Sequence, residues 1–104
     1  MTDVIELDMN PGAIVTTANN IAGVASNQVV ILQSSLTSSV ITTDITSSAT
    51  NSFILVHNSS SQKAELWFDD NWATTGNRTL VATFDNITTL AGVTNFVPDD
   101  FILV

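Results

Sequence analysis

Three segments in the second half set the tightest limit on what this chain can fold into. FILV at 53 to 56 is a short, unbroken apolar run. Farther on, Ala64, Leu66 and Phe68 alternate with Lys63, Glu65 and Trp67. After the loop DDNWATTGNR, Leu80, Ala82 and Phe84 repeat the alternation. Successive side chains of a strand point to opposite faces, so a period of two marks a half-buried strand, and a continuous run marks one covered on both faces. Three such segments, separated by polar loops, predict an antiparallel meander.

The rest of the chain adds weaker strand signals. VIEL at 4 to 7 reads as a first short strand, stopped by Asn10-Pro11-Gly12, a strong turn signal. AIVTT at 13 to 17 is a candidate second strand, ended by Asn19-Asn20, and QVVILQ at 28 to 33 reads as a buried strand. Residues 34 to 50 are ambiguous. Leu36, Val40 and Ile41 have helical spacing after a serine that could cap them, whereas eight Ser and Thr from Thr37 to Ser48 disfavour a helix interior. A short helix and a loose strand both remain open there. Gly92 is expected to end a turn after Leu90-Ala91, and Pro98 to start a helical turn before a closing strand. The expectation is one mainly β domain over 1–104, a small antiparallel sandwich or roll with at most one or two short helical turns.

Charge narrows the function classes. Two basic residues, Lys63 and Arg78, stand against ten acidic ones. Nucleic acid and anionic membranes need clustered Lys and Arg, so neither is an expected partner. No apolar run approaches the ~18 residues of a membrane span, so membrane insertion is not expected either. Cysteine is absent, which removes disulfides and thiolate chemistry. Between Asp8 and Lys63 the only formally charged residue is Asp44. This nearly neutral middle reads as the hydroxyl- and amide-rich solvent face of a β domain; because charges are the usual guard against edge-to-edge strand pairing, a surface that associates is the alternative.

Few residues carry chemistry. Asp69, Asp70 and Asn71, with Asp85 one hairpin later, group hard oxygen ligands near a loop and are the candidate calcium ligands. The same residues also serve as turn formers bonding their own backbone. Trp67 and Trp72 flank this acidic loop and are candidate glycan contacts, or else packing residues of the sheet. His57, the sole histidine, follows an apolar strand, and the serines include no GxSxG elbow and no evident base partner. No catalytic residues and no obligatory cofactor are expected; calcium is the one candidate ion.

As a block, NSFILVHNSSSQKAELWFDDNWATTGNRTLVATFDNITTLAGVTNFVPDDFILV, residues 51–104, resembles the C-terminal region of bacterial RTX-type proteins exported by type I secretion. The resemblance implies an uncleaved secretion signal ending in Asp99, Asp100, Phe101, Ile102, Leu103 and Val104, contact with the type I secretion machinery, and an extracellular or cell-surface destination. The glycine-rich nonapeptide calcium repeats of that family are missing. The expected function is a non-enzymatic, self-associating subunit of an extracellular assembly, such as a matrix fibre or surface layer. The alternatives are a monomeric secretion and folding-cap module of a larger adhesin or exported enzyme, or a calcium- or carbohydrate-binding module.

Overall fold

Two sheets stack face to face in the structure, a computed structural model that describes residues 4–8, 14–44 and 47–103. In chain order the elements are β1 (Ile5–Leu7), β2 (Ile14–Ala18), β3 (Gln28–Leu32), α1 (Ser38–Thr43), β4 (Thr50–Asn58), β5 (Lys63–Asn71), β6 (Thr79–Phe84), α2 (Leu90–Thr94) and β7 (Phe101–Leu103). A five-stranded sheet runs β2-β3-β4-β5-β6, and β1 pairs with β7 in a second, two-stranded sheet. The fold is mainly β, an open sandwich with two short helices, as the alternation predicts. The expected turn at Asn10-Pro11-Gly12 lies outside the described residues.

Strand direction follows from the connections. Strands β4, β5 and β6 form the expected antiparallel meander, whereas β2–β3, β3–β4 and β1–β7 pair in parallel. A parallel pair needs a crossover that returns the chain to the same end of the sheet. Residues 19 to 27, with the 3₁₀ turn Ile21–Gly23, supply the first, and residues 33 to 49, with α1, supply the second. Ile21, Val24, Ile41 and Ala49 from these crossovers pack on one face, against Val30, Leu32, Ile54 and Val56. Leu7, Phe101, Val93 and Phe96 cover the other face, against Val29, Ile31, Phe53 and Leu55. Thus Val29–Leu32 of β3 and Phe53–Val56 of β4 are unbroken apolar runs because each face has its own cover. Full burial of such a side chain contributes about 1.5–3 kcal/mol.

The ambiguous segment resolves as a helix of six residues. The Thr37 hydroxyl accepts the Val40 N–H at 3.2 Å, and the Thr42 hydroxyl donates to the Ser38 carbonyl at 2.9 Å. Hydroxyls that would compete with a long helix instead bond back within one turn. The single fully buried residue of α1, Ile41, anchors it to the sheet.

Three local expectations change. Gly92 does not end a turn; it lies inside α2, where a Cβ would come within 2.7 Å of Ile87 Cγ2. Only glycine fits that approach. In β5, the face read as solvent-exposed is covered: Glu65, Trp67 and Asp69 are 5%, 8% and 0% exposed. Strand β6 also departs from simple alternation. Leu66 faces Ala82 while Trp67 faces Leu80, so Val81 is an extra residue, a β-bulge.

Candidate functional site

The acidic loop is dismantled by the alternation of β5. Asp69 points inward, where Oδ2 accepts from Arg78 Nε at 3.2 Å and Oδ1 accepts the Asn71 N–H at 2.9 Å. Asp70, its neighbour, is exposed. The Asn71 side chain accepts the Ala73 N–H at 3.0 Å, a turn bond. Asp85 pairs with Lys63 at 2.9 Å, at the opposite end of β5 from Asp69. Six steps of extended strand separate Lys63 from Asp69, about 20 Å at the usual rise per residue. The four candidate calcium ligands therefore do not converge, and among the described residues no group of three or more His, Cys, Asp or Glu side chains comes together.

The two tryptophans are core residues and not glycan platforms. Trp72 is fully buried with its indole N–H donating to the Ser52 carbonyl at 3.0 Å, and Trp67 donates to Glu65 Oε1 at 2.9 Å. Glu65 is a buried carboxylate held by neutral donors, with Asn58 Nδ2 at 2.8 Å and the Ser61 hydroxyl at 3.0 Å completing its shell. Sequence reasoning missed this cluster because Glu65 looks like a solvent-facing strand residue.

Arg78 is the other residue whose role the sequence hides. Its side chain is 1% exposed. Beyond Asp69, Nη1 donates to the carbonyls of Ile41 at 2.7 Å and Asp44 at 2.6 Å, and Nη2 to that of Trp72 at 2.9 Å. The guanidinium carbon lies 4.6 Å from the centre of the Trp72 ring. One planar fork thereby ties the end of α1 to the β5–β6 loop. The signal that could have found it is the lone arginine placed a few residues after Asp69 and Trp72.

The segment implied as a secretion signal is part of the fold where it is described. Asp100 is buried, and its Oδ2 accepts the Val97 N–H at 2.9 Å to close the 3₁₀ turn Pro98–Asp100, the helical turn expected at Pro98. Asp99 is exposed. Phe101 packs 5.9 Å from Phe96, ring centre to ring centre, while Ile102 is 42% exposed. Strand β7 pairs with β1 of its own chain, Ile5 opposite Phe101 and Leu7 opposite Leu103. Val104 lies outside the described residues.

What remains outward-facing are the borders of the larger sheet. Strand β2 (IVTTA) and strand β6 (TLVATF) carry no charged side chain. Leu80 and Val81 are 43% and 48% exposed on β6. The charge that precedes β6 in sequence, Arg78, is turned inward, so it does not guard the edge. A cleft of about 360 Å³ opens over the face of β4, β5 and β6, lined by Asp8, Phe53, Phe68, Thr79 and Val81. Comparison with family models, with curated proteins and with solved structures finds no match in any of the three.

Proposed function

We propose that this chain is a non-enzymatic, self-associating structural subunit of an extracellular assembly, a matrix fibre or surface layer. What supports the reading is that the five-stranded sheet ends on both sides in strands without a charged residue, among the described residues. Unpaired N–H and C=O groups on such an edge accept a further strand, and natural monomers usually guard them with Lys, Glu or Pro. The two edges differ, β2 having a parallel neighbour and β6 an antiparallel one. A contact joining β2 of one copy to β6 of the next is heterologous and propagates, giving a filament and not a closed dimer.

The bulge at Val81 favours a second reading, a monomeric module, because bulges are one device that blunts an edge. Single lysines separate the two. Thr17 and Val81 are exposed, one on each edge, and changing either should alter stability by no more than ~0.5 kcal/mol. Thr17→Lys or Val81→Lys alone should cut the assembled fraction at least tenfold in sedimentation and negative-stain microscopy. Mixing the two variants leaves one compatible pair of edges, so dimers should form without fibres. A parent chain that stays monodisperse and monomeric at all concentrations would overturn the assembly reading.

Export by type I secretion is the second half of the proposal and rests on the resemblance of residues 51–104. Removing Asp99 to Val104 should abolish export from a cell carrying that machinery, scored by immunoblot of the medium. Undiminished export would refute it.

A further inference from the structure

We infer that Ser35 and His57 form a nucleophile–base pair, a site at which Ser35 takes an acyl group from an activated ester. The inference is independent of the assembly reading, because neither residue lies on β2 or β6. It starts from one hydrogen bond whose direction is forced. His57 Nε2 lies 3.1 Å from the carbonyl oxygen of Thr88, and a carbonyl can only accept. Nε2 therefore carries the proton, which leaves Nδ1 of the neutral ring with a bare lone pair. The Ser35 hydroxyl, 2.7 Å from Nδ1, must donate to it. A serine proton aimed at an imidazole, itself oriented by a third group, is the arrangement that activates a serine nucleophile.

The surrounding backbone holds the pair in place. The Leu36 N–H donates to the His57 carbonyl at 3.1 Å, and the Leu36 carbonyl accepts the Ser59 N–H at 2.9 Å. Leu36 is thereby bridged in parallel to Asn58, which sets Ser35 beside His57 at the end of β4. His57 is only 9% exposed, while Ser35 is half-buried. A preset donor–acceptor geometry removes the cost of orienting the two groups at the moment of attack.

The step balances without a co-reactant. Ser35 Oγ attacks the carbonyl carbon of the ester, and its proton passes to His57 Nδ1. The Thr88 carbonyl stabilises the imidazolium through Nε2–H. The C–O bond to the leaving group breaks, the departing alkoxide takes the proton from Nδ1 and leaves as an alcohol, and the acyl group stays on Oγ.

The test exposes the full chain to p-nitrophenyl acetate and, separately, to a fluorophosphonate, from which fluoride departs as Oγ bonds to phosphorus. Adducts are read by intact mass and peptide mapping. One adduct per chain, mapped to Ser35, is expected against the many other Ser and Thr hydroxyls. Ser35→Ala should lose it, and His57→Gln should slow it at least tenfold while circular dichroism reports a retained fold. Ser61→Ala should label like the parent. No adduct on the parent, labelling spread over several hydroxyls, or unchanged labelling in a folded His57→Gln chain would each overturn the inference. Should His57→Gln not fold, the mapped site on the parent and its loss in Ser35→Ala decide the matter.

Discussion

Arg78→Ala should destabilise the chain by about 3–5 kcal/mol, the usual cost of removing one partner from a buried ion pair. That is a large fraction of the ~5–15 kcal/mol that holds a typical domain together. The loss strands the Asp69 carboxylate at 0% exposure and takes donors away from the carbonyls of Ile41, Asp44 and Trp72. The orphaned carboxylate carries most of the penalty, since an uncompensated charge away from water costs more than the pair contributed. Arg78→Met combined with Asp69→Leu should therefore recover much of the stability lost in Arg78→Ala alone. Arg78→Lys should resemble the alanine variant, because a single ammonium cannot reach four acceptors that the planar fork spans. Urea denaturation followed by tryptophan fluorescence measures all three. A loss below ~1 kcal/mol in Arg78→Ala would show that the clamp is not central to the fold.

Trp72→Ala should cost a similar ~3–5 kcal/mol, for a different reason. The ring is fully buried between the β4–β5 end of the sheet and the Arg78 guanidinium, so its removal leaves a cavity and an unpaired Ser52 carbonyl. Trp72→Phe keeps most of the volume and loses the N–H, so it should cost about 1–3 kcal/mol, the range for a buried acceptor left unpaired. The two residues touch, and their effects should not add. The Arg78→Ala, Trp72→Ala double variant should fall short of the summed single losses by about 0.5–3 kcal/mol. Thermal unfolding by circular dichroism checks this, and strict additivity would mean that the stacked geometry contributes nothing.

These two residues also mark where local sequence stops informing on this fold. Strands β4 to β6 are readable because alternation and unbroken apolar runs report directly on burial. The parallel order β2-β3-β4 is not, since no local signal says which buried strand lies beside which. The same limit hides the site. Asp69 and Asp70 are adjacent in sequence, yet on a strand they point to opposite faces, so one is buried against Arg78 while the other meets solvent. Glu65 and Trp67 appear amphipathic until the crossovers lay a second cover over their face. Ser35 and His57 meet across 22 residues, and only the bridge from Leu36 to Asn58 makes that contact visible. The nearly neutral stretch between Asp8 and Lys63 is legible from charge alone, but that β2 and β6 are the edges is not, and β6 lies outside that stretch.

The pairing of β1 with β7 has a consequence for the order in which this molecule is completed. Ile5 and Phe101 are partners although 96 positions separate them (101 − 5), so this small sheet closes a very long loop. Loop closure is an entropic cost met before the contacts repay it, and such distant pairings slow folding. Strands β3 to β6 supply shorter-range contacts and are placed to form first. The β1–β7 pair can form only once residues from both segments, Ile5–Leu7 and Phe101–Leu103, are available. The part of the cover over Val29, Ile31, Phe53 and Leu55 that Leu7 and Phe101 supply is therefore expected to close late, leaving that apolar face partly open in a chain that has not yet finished folding.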